Sequence, residues 1–148
     1  MGFKMTTEDI EFSLEIRGYI APPDPFCWDD NWCRCDMRVN VGDYLDYSVV
    51  DDEFLACCEV PALSRELEKL LNGEITKDKS IGFTEPDLTF ELHPKSVLGK
   101  DEIDVCAELM IALRRPDTNY NGAVLALPFS RDDLESLSEY LKDVIKSA

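Results

Sequence analysis

The stretch that decides the fold is Trp32-Cys33-Arg34-Cys35-Asp36-Met37-Arg38-Val39-Asn40-Val41, followed by Gly42-Asp43 and then Tyr44-Leu45-Asp46-Tyr47-Ser48-Val49-Val50. Cys33, Cys35, Met37, Val39 and Val41 share one phase, while Arg34, Asp36 and Arg38 share the other. Period-two alternation places successive side chains on opposite faces of a strand, so residues 32–41 read as a half-buried strand. Gly42-Asp43 reads as a turn, and a partner strand over about 44–50 completes a hairpin.

Working outward, Ile10, Phe12, Leu14 and Ile16 alternate with Glu11, Ser13, Glu15 and Arg17, giving a further half-buried strand. Three prolines within Pro22–Pro25 then exclude a sheet interior. The apolar run Phe54–Val60 is expected to be a short strand feeding a helix that opens at Pro61, where a missing N–H costs nothing. Leu63, Leu67, Leu70 and Leu71 recur at helical spacing before Gly73, a C-terminal stop. Leu88, Phe90 and Leu92 alternate with Thr89, Glu91 and His93, and Pro94 is expected to close that strand. Residues 103–113 form a long strand with apolar residues on both faces, which marks it as central. Leu125, Leu127 and Phe129 make the last strand. Ser130 and Asp133 form a capping-box-like pair at the start of a helix lined by Leu134, Leu137, Leu141, Val144 and Ile145. The expected architecture is α+β. A mostly antiparallel sheet of about six to seven strands carries two amphipathic helices, at about 61–72 and 131–146, in a single domain over 1–148.

Fifteen Lys+Arg against 31 Asp+Glu give a formal net charge of −16 over 148 residues. Such a surface repels phosphate, which argues against nucleic acid and anionic membranes as partners and points to a basic one. A hydrophobic content of 45% excludes a disordered acidic tail. No run of apolar residues is long enough for a transmembrane helix, and no signal-peptide pattern opens the chain, so a cytoplasmic location is expected. Of the six cysteines, Cys33 and Cys35 fall on the apolar phase of their strand and Cys57, Cys58 and Cys106 lie inside apolar runs; with no CxxC spacing, this reads as buried thiols rather than a zinc or disulfide framework. Phosphate-binding loops, GxSxG and HExxH are missing. No catalytic residue, metal site or cofactor is therefore expected.

Half of the net charge lies in residues 21–60, where ten acids stand against Arg34 and Arg38. The same segment holds Phe26, Trp28, Trp32, Tyr44 and Tyr47. Acids steer a basic partner and aromatic side chains anchor it. The candidate partner-binding residues are Trp28, Asp29, Asp30, Trp32, Asp36, Tyr44, Asp46, Asp51, Asp52 and Glu53. A plainer alternative stays open, in which Trp28 and Trp32 pack over the end of the sheet and the acids solvate a rim.

The order Trp28-Asp29-Asp30-Asn31-Trp32 with its alternating strand, the leucine helix ending in Asn72-Gly73-Glu74, the strand Glu85–Leu92 and the closing strand and helix over Leu127–Ile145 resembles the WapI-type immunity proteins of bacteria. Those are small cytosolic antidotes that neutralise a cognate toxin delivered by contact-dependent inhibition. The resemblance implies binding without catalysis, to a toxin domain that is often a basic nuclease. Two alternatives are an enzyme or divalent-metal-binding protein using clustered carboxylates, and a domain whose aromatic residues form a homodimer.

Overall fold

The computed structural model describes residues 2–23, 31–85, 87–98, 104–114 and 123–147. The candidates Trp28, Asp29 and Asp30 lie outside them. Two four-stranded antiparallel sheets and two helices make up the α+β fold. The chain divides into two compact units, residues 1–65 with 136–148, and residues 66–135.

In the first unit β1 (Phe3–Thr7), β2 (Ile10–Arg17), β3 (Arg34–Val41) and β4 (Leu45–Asp52) lie side by side in chain order. The buried face carries Phe3, Met5, Phe12, Leu14, Ile16, Cys35, Met37, Val39 and Val49, the phase that the alternation predicts. Gly42 and Asp43 form the expected turn. Gly42 adopts a φ of 50°, and its N–H donates to the Asp9 carbonyl in the β1–β2 turn, tying the two hairpins together.

The ladder between β3 and β4 slips once. Cys35 faces Asp52 and Met37 faces Val49, so β4 holds one residue more than β3 in that interval. Asp51 occupies this bulge with a φ of 51°, a left-handed conformation that Asp tolerates better than most residues.

The apolar run before the first helix departs from expectation. Among the described residues the run makes a single bridge, Ala56 to Trp32, flanked by the Cys33 N–H donating to the Leu55 carbonyl and the Cys57 N–H donating to that of Asn31. Residues 54–58 are all buried, so no alternation exists to make a half-buried strand. Helix α1 (Glu59–Leu71) starts two residues before Pro61, because the Glu59 carboxylate accepts the Ala56 N–H at 2.8 Å and secures the first turn. Pro61 still sits in that turn, where no intrahelical bond is lost. The end is as expected. Gly73 at φ 78° lets its N–H reach the Leu70 carbonyl and the Glu74 N–H reach that of Lys69, the two bonds of a Schellman cap.

The second sheet holds β5 (Lys79–Gly82), β6 (Leu88–Leu98), β7 (Asp104–Ala112) and β8 (Val124–Phe129), with β7 flanked on both sides. Leu88, Phe90, Leu92, Val105, Ala107, Leu109, Ile111, Leu127 and Phe129 form its buried face. Pro94 does not close β6, because a register slip between Leu92 and Val97 absorbs the residue that cannot donate. Helix α2 (Arg131–Lys146) opens with the expected capping box: the Ser130 hydroxyl accepts the Asp133 N–H, and the Asp133 carboxylate accepts the Ser130 N–H at 3.0 Å.

Strand β1 begins only at Phe3, opposite Leu14, whereas β2 runs on to Arg17. The Ile16 N–H beyond that point donates to the Tyr140 hydroxyl of α2 at 2.7 Å. Tyr140→Phe removes the acceptor and leaves a part-buried donor unsatisfied. The variant should unfold in urea with a loss of about 1–2 kcal/mol, and an unchanged midpoint would show that this bond contributes nothing.

Candidate functional site

The outward face of the first sheet brings together side chains from three strands. Arg17 of β2 and Arg34 of β3 stand directly opposite each other, an arrangement that like-charge repulsion disfavours. Asp51 resolves it. Its bulged position sends the carboxylate between the two guanidinium groups, which donate to it at 3.2 Å from Arg17 and at 3.0 and 3.1 Å from Arg34. Asp36 adds a two-bond contact with Arg17 at 2.7 and 3.0 Å, and accepts the Asp51 N–H at 2.7 Å. Glu53 extends the chain of charges through Arg34 at 3.1 Å, and Glu15 extends it through Arg17 at 3.7 Å. Further along, Asp46 holds Arg38 through two bonds at 3.0 and 3.1 Å.

These contacts bias titration. The Arg17 guanidinium, helped by the Asp51 N–H, holds the Asp36 carboxyl down to about 2. Arg34 and then Arg17 lower Asp51, and Arg38 lowers Asp46. In the buried layer beneath, desolvation pushes the Cys35 thiol up to about 12 and raises Cys33 as well. The Cys33 and Cys57 sulfurs lie 3.6 Å apart as free thiols, and burial keeps Cys33 and Cys35 protonated and unreactive.

Of the candidates read from sequence, Asp36, Asp46, Asp51 and Glu53 therefore share one ion-paired surface. Tyr44 projects from the β3–β4 turn with 92% of its surface exposed, and Val50 at the far end of β4 is 71% exposed. Asp52 is half-buried, and one of its oxygens accepts the Glu53 N–H at 2.7 Å. Trp32 is only half-buried at the bridge to Ala56 and precedes the strand it was expected to open. Arg17 was not read from sequence as part of the site. It lies outside the acidic segment, and only the β2–β3 register brings it there. Because of it, the charge count of residues 21–60 overstates how negative this face is.

Small side chains shape the surface as well. Arg38 is flanked across the ladder by Ser13 and Ser48, leaving a hollow of about 350 Å³ lined by Asp36, Arg38, Asp46, Ser48 and Val50 among others. Among the described residues, no group of three or more His, Cys, Asp or Glu side chains could hold a metal ion. No helix among them is long and apolar enough to cross a membrane.

A model of the immunity protein WapI-like family matches residues 4–148, nearly the whole chain. The chain belongs to the WapI-like immunity protein family. No curated protein and no solved structure matches it. Membership in this family makes the role that of an immunity protein, and it implies a toxin as the partner.

In the second unit, His93 of β6 sits with Nε2 2.9 Å from Glu108 and Nδ1 3.3 Å from Asp78. Burial opposes the charged ring, but the two carboxylates outweigh it and raise the pKa. The two titrations carry opposite signs. Asp36, lowered in the folded state, stabilises above its ordinary value near 3.8, and that contribution is lost as pH falls toward about 2. His93, raised in the folded state, stabilises fully below its ordinary value of 6.5, and that contribution is lost as pH rises through the raised value. The stability gap between wild type and Asp36→Asn should therefore close on acidification below about pH 4. The gap to His93→Gln should instead close on the alkaline side. Urea titrations across pH measure both, and gaps that do not change with pH would refute the assignment.

Proposed function

We propose that this chain is a non-catalytic antidote that binds a basic toxin domain in the cytoplasm through the outward face of β3 and β4. The observation that carries the reading is the family match across residues 4–148. The geometry supports the choice of surface. Carboxylates already held by arginines on the same sheet lose little side-chain freedom when a partner arrives, which lowers the entropic cost of association. Tyr44 and Val50 offer exposed apolar area beside them, and the hollow around Arg38 is large enough to receive a side chain from the partner. The rims of that hollow are Asp36 and Asp46, so a lysine or arginine of the toxin would find a carboxylate on either side.

Inhibition on this reading is steric and electrostatic: the antidote covers the toxin's cationic surface and changes no covalent bond. Trp28, Asp29 and Asp30 belong to the same proposal as further partner-binding residues.

The test uses the cognate toxin domain, sought among the reading frames that neighbour this gene. Tyr44→Ala should weaken the complex about tenfold or more, corresponding to about 1–2 kcal/mol. Asp46→Lys should slow association, most strongly at low ionic strength. Glu53→Lys should behave in the same way. Asp51 is a poor probe, because its replacement also releases Arg17 and Arg34. Affinity and salt dependence unchanged in all three variants would rule out this face.

A further inference from the structure

A second surface in the same unit has features that the β3–β4 face lacks. Strand β1 is an edge strand of its sheet. The Ile16 N–H goes to Tyr140, not to β3, so Ile16 and the residues two and four before it on β2 turn toward the β1 side. Their partners Phe3 and Met5 face β2 in return. The main-chain groups of Lys4 and Thr6 must then point outward, away from the sheet. Beside the Phe3–Lys4 end of that edge lies one face of α2, whose residues 136, 139, 140, 143 and 144 recur at helical spacing, with Ser147 just past the helix end. Between edge and helix lies a groove of about 520 Å³, with Phe3, Ile16 and Tyr140 among its lining and Lys4, Glu139 and Asp143 on its margins.

The charges on these margins differ from those on the outward face of β3 and β4. There each of Asp36, Asp46, Asp51 and Glu53 is held by an arginine. Glu139 and Asp143 are exposed on α2, four residues apart, and no described cation pairs with either carboxylate. An edge strand alongside a helix is the geometry in which an extended segment adds to a sheet, with main-chain bonds giving affinity and flanking side chains choosing the sequence.

We infer that the β1–α2 groove receives an extended basic polypeptide segment of a protein partner as a fifth strand of the first sheet. Its main chain pairs with Lys4 and Thr6, and its cationic side chains lie against Glu139 and Asp143. Tyr140 closes one end of the groove, since its hydroxyl already occupies the Ile16 donor. This inference does not depend on the β3–β4 face being the toxin-binding surface, and it holds for any partner that presents such a segment.

The probe is a short capped peptide alternating valine and lysine, titrated into the full chain and followed by amide NMR. Saturable shifts are expected at the Lys4 and Thr6 amides and at residues around Tyr140. N-methylation of alternate peptide residues should abolish them, because the added strand then loses its ladder donors. Glu139→Lys with Asp143→Lys should weaken binding about tenfold without moving the thermal midpoint, and a valine–glutamate peptide should not bind. Missing shifts, shifts indifferent to N-methylation, or shifts unaffected by the charge reversal would each overturn the proposal. So would concentration-dependent shifts of the same amides without peptide, which would show a second copy of the chain as the occupant.

Discussion

Asp51 is the constraint on which the outward face of the first sheet depends. The β2–β3 register sets Arg17 against Arg34, and without a carboxylate between them the two strands would carry a repulsive pair at the end of the ladder. In a regular β4 Asp51 would share the buried face with Val49, because strict alternation fixes which face each side chain takes. One extra residue and a left-handed φ at Asp51 turn its carboxylate toward the two arginines and its N–H toward Asp36. A bulge is thus used to aim a functional group, and the strain of the unusual backbone is offset by charge-assisted bonds from both arginines.

From this follows the character of the surface. Exposed ion pairs add little to stability individually. Their effect here is to hold Asp36, Asp51 and Glu53 in a fixed array through Arg17 and Arg34, while Arg38 fixes Asp46 separately. Such an array presents a preset pattern of charge to a partner. It also moderates the field of a chain whose formal charge is −16, so that on the proposed reading recognition would rest on the placement of groups more than on bulk attraction.

Much of the fold was legible because local chemistry determines it. The alternation over residues 33–41 sorts Cys33, Cys35, Met37 and Val39 to the interior, and Ser130 with Asp133 or Gly73 alone marks a helix end. Strands of four and five residues at the sheet edges were not legible. Lys79–Gly82 is polar and mostly exposed, and Phe3–Thr7 is too short to separate from its surroundings by pattern. The run 54–58 was misread because a fully buried segment has no periodicity. That the strands form two sheets instead of one depends on which edges pair, information that no single segment carries. The candidate site was legible as composition, through Asp36, Tyr44, Asp46, Asp51 and Glu53. Its wiring was not, since Arg17 enters by register and the bulge at Asp51 depends on tertiary pairing.

Amide hydrogen exchange on the complex with the cognate toxin domain tests the central claim most directly. The account predicts that binding slows exchange in residues 34–38 and 44–53, and that this protection weakens in the Tyr44→Ala variant. A stable complex in which those residues exchange as fast as in the free chain would contradict it.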